Sequence, residues 1–311
     1  MYYPYFRGKQ YELITIRENA TLIVENNIVP IIEPVRSSFS GLRRAVEALR
    51  RVNGNFIIIV NPQVGDLAED STWLAPDTVS GFLEGYTNCS IGYIAHSTAS
   101  LREIERLNDY HLPISLIHNG YTQARELVTM LSPLETIRDH IFIEASCSRL
   151  YRRQFRMHSN RILIRDGFIK RKNREHPSIE HFSDLHITYT EEGVNGFGDF
   201  LIAGDDYSET GGPAYAVAIH LTFIDPSEDE DMFMKHYVSD RQLDPSDPGG
   251  KFLEALVKLE RDVTTGSIPS THAVNEFMEL HTRQHFPGLG YSKKLSMQHH
   301  LEVIAGHGVF I

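Results

Sequence analysis

The chain is short of cysteine: it has two, Cys89 and Cys147. Two thiols so far apart give neither a disulfide framework nor zinc-finger spacing, so a reducing cytosol is the expected compartment. There is no run of about 18 apolar residues, which argues against a membrane span. The opening MYYPYFRGKQYE carries no apolar core of the signal-peptide kind. Walker A, strand-linked GxGxxG and HExxH motifs are all missing, so the common phosphate-loop, dinucleotide and zinc-protease signatures are excluded. Cys147 lies three residues past Glu144 but has no dedicated base in the sequence, and a small structural residue is the simpler reading.

What the sequence has is an uneven charge. The net charge is −11, yet Arg149 to Arg174 holds ten Lys or Arg against one acid, Asp166, so this strip is at +9 and the remainder at −20. Five acids in DPSEDED (225–231) belong to that remainder. A basic strip on an acidic protein either attracts an anionic partner or faces the protein's own acidic surface. Tyr151, Phe155 and Phe168 are interleaved with the charges, either as base-stacking surfaces or as the apolar side of a helix.

Apolar, β-branched runs recur with amphipathic segments between them. They are 11–16, 28–35, 55–60, 90–96, 113–119, 140–145, 161–167 and 199–205, separated by expected helices at 40–54, 77–88, 100–109, 122–134 and 147–155. Strands that are apolar throughout suit a parallel sheet covered on both faces, and eight of them suit a (β/α)8 TIM-like barrel, with an open doubly wound sheet as the alternative. The C-terminal part departs from the rhythm. AYAVAIHLTFID (214–225) and MFMKHYVSD (232–240) read as a hairpin inside an insertion over 207–249. Segment 250–263 is expected to be the closing barrel helix, and 264–311 forms a helical extension on one elaborated α/β barrel domain spanning 1–311.

In such folds, ligand sites form where strands end. Polar residues stand at those ends: Arg17, Glu33, Asn61, His96, His118 with Asn119, Glu144, Arg165 with Asp166, and Asp205 with Asp206. The expected assignment gives catalysis to Glu144, Asp166 and His118. Substrate binding falls to Arg17, Asn61, Asn119, Arg152, Arg153, Arg165 and Lys170, and a metal to Glu33, His96, Asp205 and Asp206. Carboxylates, histidines and an asparagine suit a divalent cation (Mg, Mn or Zn), which would polarise a phosphoryl or carbonyl oxygen. Each residue also has a plainer reading, as a helix cap, a turn or an internal salt bridge. His220 in the hairpin reads as a core or edge histidine, and of His299 and His300 one faces inward.

Several strings together resemble a known family. They are PYFRGKQYELITIRE, IVPIIEPV, IVNPQVGD, GFGDFLIAGDDYSE, GGPAYAVAIHLTF, DPGGKFLEAL and HFPGLGYSKKLSMQHH, spread over nearly the whole chain. They are similar to the Beta proteins of phage satellites and bacterial genomes, in particular to a bacterial subfamily encoded beside a small partner gene. The resemblance implies a component of an anti-phage or mobile-element defence cluster with a co-encoded protein partner. It carries over no catalytic residues. Two functions follow as expectations: a metal-dependent hydrolase or phosphoryl-group enzyme acting on a nucleotide or nucleic acid, or a non-enzymatic module that senses a ligand or restrains the partner.

Overall fold

Isoleucine-rich segments build the first of two units into which the chain divides; it comprises Met1–Asp166 and Thr188–Phe200. The structure is a computed structural model that describes residues 1–68, 81, 83, 85–96, 99–108, 113–132, 134, 136–158, 160–209 and 211–308. Eight short parallel strands lie in the first unit: β1 (Tyr5–Phe6), β2 (Ile31–Ile32), β3 (Phe56–Ile59), β4 (Cys89–Ala95), β5 (Ile114–His118), β6 (Ile137–Ile143), β7 (Arg161–Ile164) and β9 (Gly196–Gly198). They pair in that order, and β9 then bonds back to the N-terminal segment through Tyr3 N–H to Phe197 O (2.8 Å) and Tyr5 N–H to Asp199 O (2.9 Å). The sheet thus returns on itself as a nearly closed (β/α)8 TIM-like barrel.

Strand alternation fills its interior. Ile57 and Ile59, Ile141 and Ile143, Ile162 and Ile164 join Tyr5, Ile31, Ile94 and Ile117 in one apolar cluster. The intervening residues face the helices. Among these are α1 (Gln10–Glu18), α2 (Ala20–Glu25), α3 (Ser40–Arg51), α4 (Ala99–Asn108), α5 (Ala124–Leu131) and α6 (Arg149–Arg152), the last continued by a 3-10 turn over Arg153–Phe155. In α3 the apolar positions Leu42, Ala45, Val46 and Leu49 are three or four residues apart and all buried, the stripe a barrel helix needs.

Two expected strands fall elsewhere. Residues 11–16 lie in α1, because Leu13 and Ile16 are a helical turn apart and share a buried face; the first strand is Tyr5–Phe6 upstream. The eighth is Gly196–Gly198 rather than 199–205. A side chain at Gly198 would run into the Tyr3 carbonyl oxygen at 2.0 Å, so closing the barrel requires glycine there. The helix expected at 77–88 lies largely outside the described residues.

The second unit comprises Gly167–Ile187 and Leu201–Ile311. Its sheet is antiparallel, in the order β10 (Ala218–Asp225), β11 (Asp231–Val238), β8 (Ile179–Ser183). The short helix α7 (Leu185–Thr188) follows β8, and α8 (Pro248–Thr265), α9 (His272–Thr282) and α10 (Leu289–Gly306) complete the chain. Helix α8 is not the closing barrel helix: Phe252, Ala255, Leu256 and Leu259 pack with Ile219 and Leu221 of β10 and Phe277 of α9 in this unit's own core. No helix among the described residues is long and apolar enough to cross a membrane.

Candidate functional site

Parallel pairing ends β2 to β7 on one side of the barrel, so Glu33, Asn61, His96, Asn119, Glu144 and Arg165 all follow strands that finish there. Most of these side chains are engaged within the fold. Glu33 is fully buried and accepts from Tyr5 Oη (2.7 Å), the Gln63 amide (2.7 Å) and Arg7 Nη1. Arg7, whose guanidinium lies over the Tyr5 and Phe200 rings, was not singled out in the sequence because the first strand was placed too late. Asn61 extends the sheet: its Nδ2 donates to Ile94 O (2.9 Å) and its Oδ1 accepts from Ile94 N–H (2.8 Å). Asn119 accepts from Ser146 Oγ (2.8 Å). Arg165 grips Glu144 with Nε and Nη2 at 2.6 and 3.0 Å, a bidentate pair that occupies both carboxylate oxygens. His96 and Asp166 are exposed.

His118 ends β5 but points outward, since Ile117 takes the interior position. It is stacked on Phe142, with Nδ1 2.8 Å from Tyr151 Oη and Nε2 3.0 Å from His140 Nδ1. Burial first, then His140 and His158, holds its pKa well below the ordinary histidine value. Arg152 and Arg153 stand on the same outer wall, in α6 and the turn after it. Arg17 belongs to the last turn of α1, where it pairs with Glu18 and opposes the helix dipole. Lys170, Asp205 and Asp206 belong to the second unit, where Lys170 Nζ lies 3.7 Å from the exposed Asp206 carboxylate.

The group with ligand geometry is in the second unit and was not expected as a site. His220 on β10 and His236 on β11 are direct cross-strand partners, with Nδ1 atoms 2.6 Å apart. His176, just after a 3-10 turn over Asn173–Glu175, stacks on His236 with ring centroids 4.4 Å apart. One ring nitrogen from each of the three lies within 4.8 Å of the others, the arrangement of a group that could hold a metal ion. Among the described residues, Glu33, His96, Asp205 and Asp206 form no such group.

A carboxylate organises the cluster from behind. Glu180 on β8 accepts two 2.7 Å contacts from Arg171 Nη1, and its Oε1 lies 2.8 Å from His236 Nε2. With Nε2–H turned to Glu180, His236 presents the Nδ1 lone pair to the space shared with His220. His176 Nδ1 is buried with no hydrogen-bond partner, Glu180 Oε1 being 3.7 Å away. Burial, the largest cause in each case, lowers the pKa of all three histidines, His236 to about 4, so they are neutral at pH 7. Burial on its own would raise the Glu180 pKa; Arg171 and His236 more than offset it, and Glu180 remains ionised.

The signal for two of the three was present in the sequence. A turn over 225–231 pairs positions that sum to 456, and 220 plus 236 is 456, so the hairpin alone sets the two histidines opposite each other. Chemically, three neutral imidazoles plus an ionised carboxylate behind one of them is a donor set for a borderline-soft divalent metal with one position left over. No family model matches the chain, and no curated protein matches it either.

Proposed function

We propose that the chain is a metal-dependent protein whose second unit holds a zinc ion on His176, His220 and His236, with a water as fourth ligand. The observation that supports this most is the cluster itself: three neutral imidazoles, one with a buried nitrogen lacking any partner and one backed by the Arg171-held Glu180. Zinc is favoured over Mg²⁺ or Mn²⁺ because the set offers nitrogen and no hard oxygen. Two nitrogens on a tetrahedral zinc lie about 3.3 Å apart, given Zn–N bonds of 2.0–2.1 Å. The 2.6 Å His220–His236 separation and the 4.8 Å limit of the set bracket that value, so loading asks for small side-chain adjustments.

Three protein ligands and an open position are the arrangement of hydrolytic rather than structural zinc, because the ion brings the pKa of its bound water to about 7. Metal-assisted hydrolysis is therefore the activity proposed. The resemblance to the Beta proteins supplies its setting, a defence gene cluster with a co-encoded partner. Metal analysis of the purified full chain tests the reading, followed by zinc competition against a chromophoric chelator and hydrolysis of bis(4-nitrophenyl) phosphate. One zinc per chain, lost in His236→Ala, is expected. A folded wild-type chain that takes up no zinc removes the reading. Stoichiometric zinc without hydrolysis makes the ion structural and returns the non-enzymatic, ligand-sensing or partner-restraining module.

A further inference from the structure

The basic strip has a second consequence, within the barrel unit and independent of the metal. On the outer wall, a cavity of about 290 Å³ is lined by Arg149, Arg152, Arg153, Arg156 and Arg161 together with Glu191 and Glu192. Arg152 is only 8% exposed; its Nη2 donates to Glu192 Oε2 at 2.9 Å, while its Nε and Nη1 are shielded from water with no acceptor. Arg161 Nε is shielded in the same way. Glu192 is shared, because its other oxygen accepts from Arg149 at 2.5 Å. Arg153 and Arg156 are exposed and form no ion pair among the described residues. Even counting Glu191 as well as Glu192, five guanidinium groups face two carboxylates.

A buried guanidinium with one shared acceptor is costly, and here the imbalance is concentrated around an open space. Guanidinium groups match phosphate oxygens in charge and in two-pronged geometry. The volume is at the small end for ligand sites, enough for a phosphate and part of what bears it. We propose that this cleft binds the terminal phosphate of a small molecule, a nucleotide or another phosphate monoester. Arg153 and Arg156 contact the phosphate at the entrance, and Arg152 supplies the charge beneath it. Two features favour a terminal phosphate over a nucleic-acid backbone. The deepest cation is enclosed, out of reach of a continuous strand, and the exposed acid Glu191 in the lining repels a polyanion running past.

The test is calorimetric titration of the full wild-type chain with pyrophosphate, AMP and ATP, and with an oligonucleotide lacking terminal phosphates, each at several salt concentrations. Nucleotide affinity is expected to fall with salt, because added ions screen the arginine–phosphate attraction; an oligonucleotide bound along its backbone would show the steeper dependence of counterion release. Arg153→Gln and Arg156→Gln should each weaken binding several-fold without unfolding the chain, since both side chains are exposed. Arg152→Gln should weaken it more than either, with Arg152→Lys restoring part of the affinity. Failure of every phosphate probe to bind the folded wild type overturns the proposal. So does binding that Arg153→Gln and Arg156→Gln leave unchanged. An oligonucleotide bound as tightly as ATP, with the same arginine dependence, would replace the small-molecule site by a backbone-binding surface. Zinc content stays at the wild-type level in all these variants, so this outcome and that of the metal reading are separable.

Discussion

At the barrel rim Glu33 is completely buried and has three donors, whereas in the second unit His176 Nδ1 is shielded from water and has none. Both are polar groups taken out of water, and desolvation makes each expensive unless something compensates it. At the rim the compensation is internal: Tyr5, Arg7 and Gln63 satisfy the carboxylate, Arg165 satisfies Glu144, and Asn61 is bonded into the sheet. In the histidine cluster the internal partners run out. A polar group at a strand end is therefore weak evidence of a site; a buried polar group whose bonding capacity the fold leaves open is stronger evidence.

The largest effect should come from removing Glu33. Glu33→Ala takes the fully buried carboxylate away from the largely enclosed Arg7 guanidinium, and breaking such a pair costs about 3–5 kcal/mol. Urea unfolding should register that loss while zinc content per folded chain holds at the wild-type level. Loss of zinc in this variant would mean the rim, not the histidine cluster, controls the metal, and the comparison would fail.

Next in size is Glu180→Gln, which leaves all three histidines in place and removes the charge behind His236. Partners that orient a metal-bound histidine typically contribute 10–100-fold in affinity. Chelator competition should show zinc affinity lower by that factor, with His236→Ala lower still. Equal affinity in Glu180→Gln and wild type would show that the carboxylate only holds Arg171.

How much of this was legible in the sequence varies from element to element. Strands β3 to β7 were, because a run such as NFIIIV is apolar on both faces and only a covered parallel strand buries it. The first and last barrel strands were not. Tyr5–Phe6 is two residues long and Gly196–Gly198 is mostly glycine, so neither has a periodicity to detect; backbone bonds to their neighbours define them. The apolar, β-branched run YELITI resembled a strand until tertiary packing chose the helical face. The strand-end rule placed Glu33 and Glu144 on one side of the barrel, but a sequence does not show that Arg7 and Arg165 would occupy them. His220 and His236 could have been paired from the hairpin turn. His176 arrives through a loop, and only three-dimensional packing brings it in.

A third prediction concerns the outer wall of the barrel, where His140 Nε2 is buried with no hydrogen-bond partner among the described residues. His118 and His140 share a hydrogen bond on the outer wall, and burial, chiefly, depresses both pKa values, that of His140 to about 3. A histidine kept neutral in the fold binds fewer protons there than in the unfolded chain at any pH between the two pKa values. Its contribution is thus fully present above about pH 6.5 and declines as pH falls toward 3, by roughly 1.4 kcal/mol per pH unit. Unfolding midpoints measured from pH 7.5 down to 4.5 should fall more steeply for the wild type than for His140→Phe, which lacks one of the two groups. Equal slopes would mean His140 takes up its proton in the folded protein as readily as in the unfolded chain, and that burial does not hold it neutral.

The smallest effect belongs to Glu144→Gln. The Glu144–Arg165 pair is bidentate, yet its side chains are 29% and 25% exposed, so water competes for both groups and salt screens them. Pairs of this kind contribute about 1 kcal/mol or less. Unfolding free energy in low salt should drop by no more than that, and the gap between variant and wild type should close as salt is added. A drop as large as that of Glu33→Ala would mean that burial of one partner does not separate strong rim pairs from weak ones. The rim would then have to be treated as one coupled network, in which exposed and enclosed charges hold each other and no single pair has an energy of its own.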